Sequence, residues 1–349
     1  MVVGPWGRRL CFEVLAEFAD PGHQPPWLSF ERIDFGRAER ELHASVQSAD
    51  LGAIAALEDE SSLLPALDRA VGSATYWQEL NPDDQFLSTE GVAHQLSTVA
   101  DAISKSPAAA WWATPLATEA QHVVQHEIDD LGERNANTPP EMTGMSERIA
   151  SWRAEAVEKE GLYRKQPRNP NKAMGGSWWS TPIFGSIDTA RTVDCVPVGL
   201  SLVEDAFNWT TAYSWAVAVR PGMRIFEINS EDDWTHLVST YPFDVSRSRR
   251  GVWFSLTGRD GPWLIPDWMA VSAEYDAVHL SVGAYLSSAG RAIEVGEAST
   301  VLAGWGPDAT WWLTDALEIK GPVVRWNGDS DDPLSWAADA GPVAPDQAS

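Results

Sequence analysis

Apolar residues recur at helical spacing in the first half of the chain and in short β-rich runs in the second. Val92, Leu96, Val99 and Ile103 stand at i, i+4, i+7 and i+11, one apolar stripe on a helix starting near Thr89. Met145, Ile149, Trp152 and Ala156 repeat the spacing on a second helix, opened by Thr143 or Ser146. Leu63, Leu64, Leu67 and Val71 predict a shorter third. The segment from Leu10 to Phe18 fits either a strand or a helix.

In the second half, Val196–Val203, Tyr213–Val219, Met223–Ile228, Gly251–Leu256, Ala277–Val282, Thr300–Ala303 and Thr310–Leu313 read as short strands rich in β-branched and aromatic residues. Between them SEDDWTHLVSTY predicts one helix, with Ser230 as N-cap, Asp233 three residues on, and Trp234, Leu237, Val238 and Tyr241 as its apolar face. A second short helix is expected after Pro266, with Asp267 near its start. Strands gathered after a helical half favour an α+β fold over alternating βαβ units: a helical N-terminal region, then a Trp-rich, mostly antiparallel mixed sheet.

The run KQPRNPNKAMGG, residues 165–176, has prolines, asparagines and paired glycines without apolar periodicity, and reads as a linker. The expected organisation is therefore a mainly helical region over 1–164, a linker over 165–176, a β-rich domain over 177–327, and a disordered acidic tail over 328–349.

Tryptophan sharpens the picture of the second half. Of 19 in the chain, twelve fall between Trp178 and Trp326, which predicts a core or a cleft built from aromatic plates. The formal net charge of −25 argues against contact with a nucleic-acid backbone, which needs clustered Lys and Arg. The nearest cluster, Arg247, Arg249 and Arg250, is either a solvated loop or a contact for one phosphate or carboxylate group. Arg outnumbers Lys 20 to 5, as codon bias from a GC-rich genome would give. Glu13, Glu17 and Asp20 interrupt the apolar run after Arg8 and Arg9, unlike a signal peptide, and no stretch reaches the length of a membrane span. Cys11 and Cys195, far apart and without CxxC spacing, suit two buried residues in a reducing cytoplasm, although one disulfide stays open.

Chemistry-bearing motifs are scarce. His122 and His126 lie at i, i+4 on an expected helix, opposite a buried face of Val124, Ile128 and Leu131, and the HExxH order is absent, so no metal is expected there. Asp329, Asp331 and Asp332 lack the Gly and distal Glu of a calcium loop. No Walker loop, GxGxxG or GxSxG is present. Strand alternation is more informative. In GVWFSL, Val252, Phe254 and Leu256 share one face, and Trp253 and Ser255 the other. In DAVHLSV, His279 and Ser281 lie opposite Val278, Leu280 and Val282, and MRIFEI carries Arg224 and Glu227. If the polar faces meet, Arg224, Trp253, Ser255 and His279 line one pocket; if they face water, these are strands with a wet side.

Two resemblances follow from these residues. The phrases YWQE from Tyr76, SPAAAWW ending at Trp112, RIFEI from Arg224, PDW from Pro266, YDAVHLSVGAYLSSAG from Tyr275 and LAGWGPDATWWL from Leu302 resemble a set of uncharacterised proteins of GC-rich bacteria, which implies no particular activity. The order RIFEI, helix, GVWFS, YDAVHLSV is similar to that of ADP-ribosyltransferase-like folds. That resemblance implies NAD as a substrate. Arg224 would grip the pyrophosphate, Trp253, Phe254 and Ser255 would hold the nicotinamide ribose, and Glu294 would polarise it. His279 joins Ser255 and Glu294 as a catalytic candidate. Ser255-Leu256-Thr257 keeps only the ends of the family's Ser-Thr-Ser triplet, and its Glu-x-Glu pair is missing. The expectation is thus a cytoplasmic small-molecule enzyme. Its rival is a non-enzymatic protein using Trp rings to recognise a sugar, a peptide or a partner domain.

Overall fold

A computed structural model describes residues 3–27, 34–76, 81–127, 137–165, 177–182, 186–205, 209–329 and 332–339. Its helices are α1 (Pro5–Phe18), α2 (Phe35–Ser48), α3 (Leu51–Ala55), α4 (Leu64–Gly72), α5 (Pro82–Leu87), α6 (Glu90–Lys105), α7 (Met145–Arg164), α8 (Glu231–Thr240), α9 (Arg250–Thr257), α10 (Trp268–Glu274) and α11 (Val282–Ser288). The apolar stripe of α6 is buried along its length, and Ser230 caps α8 by accepting from the Asp233 amide. The undecided segment Leu10–Phe18 lies in α1, which Pro5 opens and which packs against α4, α6 and α11.

Two four-stranded sheets organise the rest. The first runs β1 (His122–His126), β5 (Thr211–Val219), β13 (Leu317–Asp329), β14 (Asp332–Ala338), all antiparallel. The second runs β2 (Ile187–Thr189), β12 (Thr310–Trp312), β9 (Ala277–Leu280), β6 (Ile225–Ile228), with only the β9–β6 pair parallel. Three ribbons complete the set: β3 (Thr192–Val193) with β4 (Val196–Pro197), β7 (Pro242–Asp244) with β8 (Leu264–Pro266), and β10 (Ile293–Val295) with β11 (Ala298–Thr300). The architecture is α+β with a mostly antiparallel mixed sheet. An isolated bridge from His122 to Ala190 ties the edge of the first sheet to the end of β2. No described helix is long and apolar enough to cross a membrane.

One apolar cluster extends from Trp6 and Leu10 through Leu67, Leu96 and Trp111 to Trp234, Trp268, Trp305 and Leu313. Seven tryptophans are core rather than surface plates: Trp6, Trp234, Trp253, Trp263, Trp268, Trp305 and Trp312 are all fully buried. From residue 166 the expected linker lies outside the described residues. The segments on its two sides share this core, and β1 from the first pairs with β5 from the second.

Several expected elements differ from those observed. GVWFSL is helix α9, because Val252, Trp253 and Leu256 together face the core and Gly258, at φ +70°, closes the helix in the left-handed region. His122 and His126 sit on a strand, with paired valines between them. Ile128 and Leu131, expected on their buried helical face, lie outside the described residues. Val196–Val203 is strand only at Val196–Pro197 and then a 3-10 turn. Helix α7 is capped at Gly144, at φ +79°, rather than at Thr143 or Ser146. The tail is not disordered throughout: Asp332–Ala338 forms β14 on β13, while residues 340–349 lie outside the described residues. No disulfide joins the two cysteines, and Cys195 is exposed at the β3–β4 turn rather than buried.

Candidate functional site

The five residues suggested by the ADP-ribosyltransferase likeness, and His279 from the strand alternation, do not form one site. Arg224 is exposed just before β6, and its Nε lies 3.2 Å from Asp276 Oδ2. Trp253 is fully buried, with its indole N–H donating to the Trp178 carbonyl at 2.8 Å. Ser255 is exposed and donates to the Gly251 carbonyl within α9. Two residues apart on a helix, Trp253 and Ser255 face about 200° apart and cannot share one wall. Phe254 is half-buried between them. Glu294 is exposed on the β10–β11 ribbon, opposite Ser299. The expected cavity of Arg224, Trp253, Ser255 and His279 therefore fails at its first premise, the strand assignment of GVWFSL.

His279 belongs instead to a buried polar row. Register places Thr189, Thr310, His279 and Glu227 side by side across β2, β12, β9 and β6, so the four share one face of the second sheet. His279 Nδ1 lies 2.6 Å from Glu227 Oε2, and its Nε2 lies 3.5 Å from Asp308 Oδ1. Asp308, held at φ +62°, accepts from Arg191 Nε at 2.7 Å and from the Arg191 amide at 3.0 Å. Burial pulls the His279 imidazole down, but hydrogen bonds and charge from Asp308 and Glu227 outweigh it and raise the group above its ordinary value. His279 thus sits between two carboxylates, one of which also pairs with Arg191.

The row holds down a strap, residues 114–121, that leads into β1. The Leu116 amide donates to Glu227 Oε1 at 3.1 Å, and Arg191 Nη2 to the Pro115 carbonyl at 3.4 Å. Gln121 accepts from Thr189 Oγ1 at 2.5 Å and donates to the Ala117 carbonyl at 3.1 Å. Trp312 Nε1 donates to the same Thr189 hydroxyl at 2.9 Å, which fixes its orientation.

At the end of the strap opens a cleft of about 630 Å³. β1 begins at His122, paired with Ala216, so β5 runs on beyond it towards Val219. Strap residues Thr118, Glu119 and Gln121 line one side, and Val219, Met223 and Ile225 give an apolar wall. Register sets His122, Ala216 and Lys320 in one row, and the small Ala216, with Ala218, leaves room between the two larger side chains. Arg220 lines the cleft, is exposed, and makes no ion pair among the described residues. Lys320 is paired with Glu318 at 3.1 Å. Burial lowers the His122 imidazole, so it is neutral at pH 7, and its Nδ1 has no hydrogen-bond partner.

None of the six candidate site residues lines this cleft. Its signals in the sequence were the alternation of β5 and the basic residues after it; the helical reading of His122 concealed them. His122 and His126 lie roughly 13 Å apart at the strand rise of ~3.3 Å per residue, too far to share an ion. His126 Nε2 donates to the Leu200 carbonyl at 3.0 Å, and its ring packs 4.6 Å from that of Trp209. Comparison with protein-family models, with curated proteins and with solved structures finds no match to this chain.

Proposed function

We propose that this protein binds a small organic acid, a carboxylate on an apolar body, in the cleft between the strap and β5. The observation that carries the reading is Arg220: an unpaired cation beside an apolar wall and an alanine floor, in a chain of formal net charge −25. A guanidinium there offers a bidentate contact to a carboxylate, and Val219, Met223 and Ile225 take the apolar body. His122 Nδ1 and the Gln121 edge supply the polar contacts that orient it. Glu119 lines the same cleft and repels a second negative charge, which favours monoanions. The polar row below holds the strap in place and gives the cleft a preformed wall.

The reading is a binding role, without an assigned reaction. NAD-dependent ADP-ribosyl transfer draws no support from the geometry, since its candidate residues do not converge. Recognition through a row of exposed Trp rings draws none either, because the rings named above are core. Calorimetric titration with aliphatic and aromatic monocarboxylates, dicarboxylates and NAD tests this. Monocarboxylates should bind, and Arg220→Ala should weaken them roughly 10- to 100-fold, the loss of one charge-assisted hydrogen-bonded contact. Unchanged affinity in Arg220→Ala sinks the assignment. NAD binding with nicotinamide release would restore the transferase reading.

A further inference from the structure

Two acid-free stretches of this acidic chain meet at Trp179. Residues 161–187 carry Arg164, Lys165, Arg168 and Lys172 and no Asp or Glu, and residues 245–259 carry Arg247, Arg249, Arg250 and Arg259 and again no acid. The fold joins them. Trp253 Nε1 donates to the Trp178 carbonyl at 2.8 Å, and Arg249 Nε to the Trp179 carbonyl at 3.1 Å. Glu160, buried near the end of α7, accepts from the amides of Arg247 and Ser248 at 3.1 and 2.8 Å. That pins the turn before α9 onto α7 and aims Arg249 at the Trp179 ring.

Arg249 is 5% exposed, and its Cζ lies 5.7 Å from the Trp179 ring centre; Lys159 Nζ lies 6.0 Å from the same ring. Neither makes an ion pair among the described residues. Arg250 and Arg164, by contrast, are matched with Asp260 and Asp244. Glu160 on α7 accepts from two backbone amides and offsets part of the charge of both cations from beyond ion-pair distance. Arg249 is buried and Lys159 half-buried, and their like charges still oppose each other. Two hydroxyls are set beside them. Lys159 donates to Ser177 Oγ, and Arg249 Nη1 donates to Ser248 Oγ at 2.9 Å. Each hydroxyl thus accepts from a cation and keeps its own proton to give, and both serines are buried.

We propose that Arg249, Lys159, Ser177 and Ser248 form a binding site for a tetrahedral oxyanion, a phosphate group, beside the Trp179 ring. Two cations and two hydroxyl donors match the three or four acceptor oxygens of such a group, and one planar guanidinium suits its geometry. Charge behaviour agrees. Burial pushes the Arg249 guanidinium down to about 10, with Glu160 and Tyr163 opposing. Burial and then the Arg249 charge lower the Lys159 ammonium, with Glu160 opposing. A bound dianion would relieve both. The site is separate from the carboxylate cleft and does not depend on that assignment.

The test is thermal unfolding of the full chain against inorganic phosphate, with sodium chloride at matched ionic strength, and against glycerol 3-phosphate to separate free phosphate from a phosphate ester. A saturable rise in Tm is expected with phosphate and none with chloride. Lys159→Met should weaken the phosphate response at least about tenfold and, without phosphate, melt no lower than the parent, because it relieves the repulsion from Arg249. Arg249→Lys should keep the fold and weaken the response. Arg220→Ala should leave it unchanged. A rise linear in salt, or one equal in the parent and both site variants, overturns the proposal. So does a Lys159→Met protein that melts lower yet responds to phosphate as before, since the lysine would then serve only Ser177.

Discussion

Replacing Glu204 with Gln should flatten the pH dependence of stability. Glu204 lies on a turn between the 3-10 segment after β4 and β5, with its carboxyl buried against Tyr76, Tyr285 on α11 and the chain after β11. The Tyr76 hydroxyl donates to its Oε1, and the amides of Gly304 and Trp305 donate to its Oε2 at 2.7 and 3.1 Å. Trp6 Nε1 donates to the Tyr76 oxygen at 3.2 Å, and Tyr76 stacks on Trp178 at 5.2 Å. The Tyr285 hydroxyl faces the same carboxyl outside hydrogen-bonding geometry. Among the described residues no cation pairs with this group, and burial, opposed by these donors, pushes the carboxyl from its ordinary 4.5 up to about 7. The folded state then holds a proton that the unfolded chain has lost, and its stabilising contribution is full below pH ~4.5 and disappears as pH rises through ~7. At 1.36 kcal/mol per pH unit the whole effect is about 3 kcal/mol, most of it between pH 5 and pH 8. Gln reproduces the protonated group: its oxygen takes the two amides and its nitrogen donates to Tyr76. Denaturant unfolding of both proteins at pH 5 and pH 8 measures the difference, and every other titrating group cancels between them. The two should match at pH 5, and the Gln variant should be the more stable by about 2–3 kcal/mol at pH 8. Parallel pH profiles, or a Gln variant weaker at both pH values, would refute the argument.

Other consequences can be checked directly. Gly290→Ala should cost about 1–3 kcal/mol, since φ is +77° and an added Cβ would stand 2.6 Å from Trp6 Nε1 in a fully buried site; a denaturation midpoint equal to the parent's would contradict that packing. Ser255→Pro should cost about 3 kcal/mol by breaking α9, while Ser255→Ala should leave stability and ligand binding alone; a tolerated proline, read by circular dichroism and urea unfolding, would return GVWFSL to the strand reading. Glu227→Gln should loosen the strap, because His279 and the Leu116 amide lose a charged partner, and cleavage within residues 114–121 by a protease should quicken; unchanged cleavage would remove the row's role.

Elements with a long, regular stripe were legible. The stripes of α6 and α7 and the cap of α8 each carry a local signal that tertiary packing reinforces. Short apolar runs were not. GVWFSL alternates acceptably as a strand and also places Val252, Trp253 and Leu256 on one helical face; the deciding residue is Gly258, just past the run, whose left-handed backbone ends a helix. HVVQH shows the reverse. Its histidine spacing suggested a helix, but the paired valines and the free edge of β5 made it a strand. Each misassignment moved side chains to the wrong face, and the expected site failed with them.

The candidate site was hidden for a different reason: its residues become neighbours only through sheet register. Thr189, Thr310, His279 and Glu227 come from four strands with no shared motif. His122, Ala216 and Lys320 meet across more than a hundred residues of chain. Composition misled in one further way. A dense set of tryptophans reads as a recognition surface, yet a ring with one N–H is also an efficient core element when a carbonyl stands at its edge. Trp253, Trp268 and Trp305 each donate to a backbone oxygen at about 3 Å, on Trp178, Ser180 and Ala309. Those bonds tie distant segments together at the points where large rings fill the interior. The buried rings therefore set the frame of the interior. Alanines floor the cleft, and the two proposed anion sites rest on Arg220 in one and on Arg249 with Lys159 in the other.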